Sequence, residues 1–450
     1  MSRSGDNMML NSVASRLKQR LLGNKEVKNA GWLIAGKVIQ MVLSFFISIL
    51  TARYLGPSNY GIINYSGAYV TFFSSICTLG INFVIVKDFF DDPDNHGEII
   101  GTTLILRILA SFFSSLTIIG IVAIVDKGEP VTLLVTALSS VQLIFHVCDT
   151  FSFWFQSRYE SKVTAIATLI AYVITSAYKI VLLIQQKDVA WFALATSVDY
   201  FCLGVFLYLS YKRADGPGLS FSWAKGKSLL SRSYHYILSG MMVAIYGQTD
   251  KLMLKQMLDE ASVGYYSLAA SINVMWVFVL QAIIDSIHPT IMQYYNSGDV
   301  KAFERKNRQL YTIVFYVSVS VAVLFVLFGK IAVRILYGVE YLPAAEPLKI
   351  IAWYTGFSYL GVARNAWVIC NNKQKYLKYM FVTAAIFNVI LNYFLIPTWG
   401  ANGAAVASLI TQILTSLIIP AFIPDMRENV KLMIQALLLK DFLSGRKETN

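Results

Sequence analysis

The sequence predicts an all-α integral membrane protein with about twelve transmembrane helices, arranged as two pseudo-symmetric six-helix bundles around a central cavity. Three observations predict it: a shortage of charge, basic residues that alternate from loop to loop, and a weak repeat between the halves. Of 450 residues, 56% are hydrophobic and only 14% are charged, against about 25% charged in soluble domains. The missing charge is absent from long blocks and concentrated between them, as in lipid-facing helices joined by short loops.

The apolar blocks run at about 32–53, 61–86, 99–125, 131–155, 162–185 and 189–211. A second set follows at about 233–258, 262–292, 309–337, 346–370, 376–396 and 401–423. Most exceed the roughly 20 residues needed to cross a bilayer, so tilted spans are expected. Residues 1–31 form a basic cytoplasmic segment. In it Leu10, Val13, Leu17 and Leu21 recur at helical spacing among Arg16, Lys18 and Arg20, a pattern for a helix lying on an anionic leaflet or for an unstructured leader. Residues 32–211 are the first bundle, 212–232 a basic cytoplasmic linker, 233–423 the second bundle and 424–450 a cytoplasmic tail. The segment Leu432 to Leu439 reads as a further surface helix.

Loop charge tests the span count. With twelve spans, about 26 Lys and Arg fall on one side and 6 on the other. An odd number of spans would spoil that alternation. The positive-inside rule places the richer side, and both termini, in the cytoplasm. The net charge of +12 sits beside apolar spans, so it reads as orientation and not as a nucleic-acid surface. Cys77, Cys148, Cys202 and Cys370 each lie in an apolar stretch without a CxxC pair, and read as small buried side chains. Neither a metal nor a cofactor is expected.

The repeat comes next. Leu55 and Gly61, at the end of the first span, correspond at one constant offset to Leu258 and Gly264, at the end of the seventh. Trp191-Phe192-Ala193-Leu194-Ala195 before the sixth span echoes Gly400-Ala401-Asn402-Gly403-Ala404-Ala405 before the twelfth. Parallel repeats of this kind are one transporter architecture, with the site between the halves.

Ala52-Arg53-Tyr54-Leu55-Gly56-Pro57-Ser58-Asn59-Tyr60-Gly61 resembles the motif closing the first span of bacterial polysaccharide-lipid flippases of the O-antigen type. Asp250 followed by Val263-Gly264-Tyr265-Tyr266 is similar to their second-half motif, and the 400–405 segment to their opening of span twelve. The resemblance covers about residues 30–425. It implies membership of the multidrug/oligosaccharidyl-lipid/polysaccharide exporter superfamily. It also implies transfer of an undecaprenyl-diphosphate-linked oligosaccharide across the bacterial inner membrane, with H+ or Na+ as coupling ion. A polysaccharide polymerase and a chain-length protein are the partners it suggests, besides membrane lipids.

Charges inside spans are the candidate site residues, because each costs at least about 2.5–3.5 kcal/mol near the bilayer centre. The basic ones are Lys37, Arg53, Arg107, Lys179, Lys251, Lys255 and Arg364, and the acidic ones Asp149, Asp199, Asp250 and Asp285. A basic cavity suits a diphosphate. Lys37, Arg53, Lys179, Lys251, Lys255 and Arg364 are the candidates for holding it. Snorkelling explains Lys251 and Lys255 equally well, and structural pairing explains Arg53. His146 and Asp149, with Gln142 on the same stripe, are either a proton relay or a satisfied polar cluster; with Asp250 they are the candidates for ion coupling.

Two other functions compete. A cation-coupled multidrug or metabolite antiporter of the same superfamily would share the helices, but its cavity usually favours acidic residues. A membrane glycosyltransferase or polymerase would need a large external loop or paired catalytic carboxylates. The external loops here are short, and no Walker loop occurs.

Overall fold

The computed structural model describes residues 25–439. The side chains of 25–35, Lys37, Val38, Phe83 and Ser239 lie outside that description, as does the helix expected within residues 1–24. The described chain is helical throughout its length, with short turns between helices. A chain in hydrocarbon must satisfy every backbone N–H and C=O internally, and a helix does so within one segment.

The chain packs as two units. One comprises the described residues through Ser48 together with Phe73–Leu238; the other comprises Ile49–Phe72 and the chain from Ser239 onward. The sequence alone gives no sign that residues 49–72 pack with the second half.

Helix α1, Lys25–Cys77, holds both the first and second expected spans. It is broken at Gly56, whose φ of 68° and ψ of 171° are not helical, and Pro57 restarts it. Glycine tolerates that positive φ, and proline at a first helical position loses no hydrogen bond. Then come α2 (Ile85–Asp91), α3 (His96–Val125), α4 (Pro130–Ser140), α5 (Gln142–Phe145), α6 (Thr150–Ser157) and α7 (Ser161–Ile184). The fourth expected span is thus α4 to α6, interrupted by a 3-10 turn at His146–Asp149. The sixth is α8 (Val189–Ala193) and α9 (Ala195–Arg213).

Helix α10, Trp223–Met257, starts ten residues before the expected span. Its basic start does not float. Arg232 makes two 2.6 Å hydrogen bonds to the two carboxylate oxygens of Asp88, and Lys225 Nζ donates to Asp92 at 2.7 Å. The Lys225 ammonium holds the Asp92 carboxyl below the usual carboxylate range. Just upstream, the Ser220 N–H donates to the Gly97 carbonyl and the Ser222 N–H to Thr102 Oγ1. The linker is therefore strapped across the start of α3. A core of Ile81, Ile85, Phe89, Phe151, Trp154, Leu207, Tyr211 and Leu229 lies beneath.

The second half continues with α11 (Glu260–Asn296), α12 (Val300–Tyr337), α13 (Ala345–Ala363), α14 (Asn365–Cys370), α15 (Lys375–Trp399) and α16 (Ala401–Ile413). A π turn, Leu414–Ile418, leads to α17 (Ile419–Phe422), and α18 (Arg427–Leu437) ends the described helices. Asp259 and Asp299 cap α11 and α12 by accepting from the N–H groups of Ser262 and Ala302. Both sit where the first turn leaves donors unpaired. The tail helix α18 is not free on a surface. It buries Val430, Leu432, Met433 and Ala436, packs on α12, and its Asn429 donates to Tyr311 Oη at 2.7 Å.

Among the described residues, nine segments are long and apolar enough to cross a membrane. The first of them spans Gly56 and so contains two crossings. The more polar α10 and the interrupted α13–α14 supply the remaining two of twelve. Large apolar side chains face outward, among them Phe113, Leu327, Ile335 and Phe394, each more than 60% exposed. A water-soluble surface would not carry so many. The protein is a multi-pass α-helical membrane protein.

Candidate functional site

Within the second unit, four helices bring polar groups together around Asp250, which is 4% exposed. It stands on α10. Tyr266 on α11 donates its hydroxyl to Oδ2. Ser408 on α16 donates to the same oxygen at 2.6 Å, and Asn392 on α15 donates to Oδ1 at 2.6 Å. Asn392 also donates to Asn388 Oδ1, and its own Oδ1 is buried without a hydrogen-bond partner. Asp250 makes no ion pair among the described residues. The result is a buried carboxylate held by three neutral donors, with an orphaned amide oxygen beside it. Such a group can take a proton or a small cation at modest rearrangement.

The same unit holds a cavity of about 220 Å³. Its walls come from α10, α13–α14, α15 and the end of α16, and Arg364 is the one charged residue in them. Arg364, 4% exposed, falls at the break between α13 and α14. Its Nη1 donates to the carbonyls of Thr415 at 3.2 Å and Ser416 at 3.5 Å. Those carbonyls are available because a π turn replaces the regular helix there. The hydroxyls of Thr415 and Ser416 bond back to the preceding turn, a habit that loosens helices.

The first unit holds a second polar group. Buried Arg107 on α3 donates to Thr150 Oγ1 at 2.9 Å and to the His146 carbonyl at 3.4 Å. His146 Nε2 lies 3.9 Å from Asp149 Oδ2, and its ring meets that of Tyr200 edge-on at 4.7 Å. Asp149 also accepts from Ser152. Arg107 Nε is buried with no hydrogen-bond partner, so the polar cluster is satisfied only in part. Lys179 is half-buried, and Thr175 donates to Asp199 Oδ1 at 3.2 Å.

The remaining candidates divide. Lys255 is buried in a 2.8 Å ion pair with Glu260, which accounts for its charge without a ligand. Lys251, half-buried, stands next to Asp250 in the chain. Arg53 is exposed and makes no ion pair among the described residues. The side chain of Lys37 lies outside the described residues.

Sequence reasoning missed Asn388, Asn392, Ser408, Tyr246 and Gln412. The signal for the first two was present: two asparagines four apart in an apolar span share a face, and both are fully buried here. The quoted motif residues do meet, since Tyr266 binds Asp250. The repeated turns meet as well. A Cβ on Gly61 would lie 1.8 Å from the Glu260 carbonyl oxygen, and one on Gly264 2.2 Å from that of Pro57. The two glycines let α1 and α11 cross backbone to backbone.

Comparison with known proteins gives this geometry its context. Residues 27–295 match the family described as "Polysaccharide biosynthesis protein", and residues 236–394 match MatE. The chain is 19% identical over 407 residues to the protein named "Putative O-antigen transporter" of Shigella flexneri, covering 87% of this chain and 96% of that one. It is 24% identical over 220 residues to the lipid II flippase MurJ of Bacillus subtilis (strain 168), covering 45% and 40%. Among solved structures, the inward-facing conformation of a multidrug resistance MATE family transporter of the MOP superfamily superposes with a TM-score of 0.64 at 15% identity, over 87% of this chain and 94% of that one. The inward closed conformation of lipid II flippase MurJ gives 0.56 at 14%, over 90% of each. These relatives and structures are transporters and flippases. The chain has their fold, and it belongs to the polysaccharide biosynthesis protein family.

Proposed function

We propose that this protein flips an undecaprenyl-diphosphate-linked oligosaccharide, an O-antigen-type repeat unit, across the bacterial inner membrane by alternating access. A polar head dragged through hydrocarbon would strand charges and hydroxyls, each at a cost in free energy. A wet path through the protein would avoid that cost while the polyprenyl tail stays in lipid. Arg364 supplies positive charge for the diphosphate in the second unit, and Lys37, Arg53, Lys179 and Lys251 stay further candidates for that role. Asp250 is the coupling group. A proton on it would displace one of its three donors, and Na+ would instead draw on its oxygens and the free Oδ1 of Asn392. Either event remakes contacts among α10, α11, α15 and α16, which links ion binding to helix packing.

The observation that carries this reading is Arg364: a buried guanidinium on a cavity wall, with no acidic partner among the described residues. That charge suits an anionic cargo. The second reading, a cation-coupled multidrug antiporter, is favoured by the buried carboxylate of Asp250 and by the MATE likeness. Deletion of the gene separates them. Loss of surface polysaccharide with lipid-linked repeat units accumulating on the cytoplasmic face is expected. Normal polysaccharide together with raised sensitivity to cationic drugs would favour the antiporter.

A further inference from the structure

We propose that the Arg364 cavity is a pocket for the phosphate group of a lipid, closed to sugars. It deepens the reading of Arg364 given above, but it concerns binding alone. Its test reads binding and the gene deletion above reads flipping, so failure of one is seen apart from failure of the other.

The argument starts from an unbalanced charge. A buried guanidinium is stable only when its donors are satisfied and its charge is offset. Here Nη1 is satisfied by two carbonyls, whereas Nε is buried with no partner. No acidic residue stands among the residues lining the cavity. Two carbonyl dipoles orient the planar fork but do not neutralise it. The missing partner is therefore an anion, and Nη2, 4.0 Å from where a Cβ on the cavity-lining Gly361 would stand, is the guanidinium nitrogen turned to that wall. Tyr246 adds a second donor. Its oxygen already accepts from Gln412, so its own proton is left for another acceptor. A tetrahedral oxyanion with several acceptor oxygens meets a guanidinium and a phenol better than a single-point anion does.

Size and wall chemistry narrow the ligand. At about 220 Å³, the cavity is below the roughly 300–1,000 Å³ of pockets that enclose a small organic molecule. An oligosaccharide does not fit, whereas a phosphate does. Val243, Leu377 and Phe381 form the other walls. Val243 and Phe381 are 54% and 38% exposed, so hydrocarbon can continue outward from the phosphate along apolar side chains. That favours a phosphate borne by a lipid over free phosphate.

The test uses the full-length protein in vesicles of phosphatidylcholine with or without added phosphatidylglycerol, and in detergent with pyrophosphate as the soluble probe. Retained lipid is read by native mass spectrometry, and pyrophosphate binding by the shift in melting temperature. Two variants are compared. Arg364→Gln removes the charge. Gly361→Leu keeps Arg364 and fills the wall, where an added Cβ meets only the guanidinium, at 4.0 Å. The wild type is expected to retain phosphatidylglycerol, and both variants to retain about tenfold less or lower. A pyrophosphate-dependent shift in the wild type alone, without lipid retention, would keep the phosphate chemistry and assign it to a free anion. Equal lipid retention and equal pyrophosphate response in all three proteins would overturn the proposal. So would full binding in Gly361→Leu with loss in Arg364→Gln, because the anion would then lie outside the cavity. If Arg364→Gln fails to fold, Gly361→Leu decides alone.

Discussion

Asp250 shows what a single residue can do in an apolar interior. Its carboxylate is solvated by Tyr266, Ser408 and Asn392, and it pairs with no Lys or Arg among the described residues. Asp250→Asn keeps the shape and removes the charge, and it turns an acceptor-only group into one that also donates. Tyr266 and Ser408 then compete for an acceptor with half the capacity. Coupling energies between sites are typically about 1–3 kcal/mol, or about 5–150-fold. Transport by Asp250→Asn, measured as display of polysaccharide at equal protein level, is expected to fall within that range and to lose its response to the ion gradient. Unchanged display with an intact gradient response would remove Asp250 from coupling. The charge at position 250 was legible in the sequence because it interrupts an apolar run. Its donors were not, because Asn, Ser and Tyr in spans have too many ordinary uses to stand out. Lys255 shows the reverse. Its charge looks as significant as that of Arg364 in the sequence, yet Glu260 on the next helix accounts for it.

At the scale of elements, the close crossing of α1 and α11 explains why two glycines recur at corresponding places in the halves. Gly61→Ala puts a methyl group against backbone and not against a side chain that can turn away. Overpacking costs about 1–3 kcal/mol, and a clash with a carbonyl belongs at the upper end. Gly67, one helix segment on, has nothing within 4 Å of an added Cβ. There alanine is expected to stabilise by about 0.5–1 kcal/mol, the ordinary penalty of glycine in a helix. Melting in detergent should thus shift down for Gly61→Ala and up for Gly67→Ala. Equal shifts would mean that the crossing tolerates a side chain. The helices themselves were legible, since apolar length alone marks them. Their interruptions at His146–Asp149, Leu194 and Leu414–Ile418 were not. Hydroxyls bond back to the helix beside the first and within the last, at Thr150, Thr415 and Ser416, and such bonds leave no mark on hydropathy.

For the whole molecule, the strongest sequence signal was the alternation of basic loops, and the strongest structural one is the run of helices that carries it. Counted along the chain as twelve crossings, with two merged in α1, the turns at 126–129, 185–188 and Gly400 are expected on the side poor in Lys and Arg, and the linker before Trp223 and the turn at 371–374 on the rich side. The structure adds a reason for the long basic linker beyond orientation. Lys225 and Arg232 are ion-paired to Asp92 and Asp88, so part of its charge ties the start of α10 to the first half of the chain. Arg232→Leu would leave the buried Asp88 carboxylate unpaired, a loss of about 1–3 kcal/mol, without changing topology. The remaining basic loops still hold the orientation, because the rule counts the Lys and Arg near span ends collectively. Reporter fusions after residues 128, 187 and 400 are therefore expected to report the periplasm, and fusions after 220 and 375 the cytoplasm, in the wild type and in Arg232→Leu alike. A reversed result at any two sites in the wild type would refute twelve spans with cytoplasmic termini. A reversal confined to Arg232→Leu would show that one linker residue, and not the collective charge, sets the orientation of the second half.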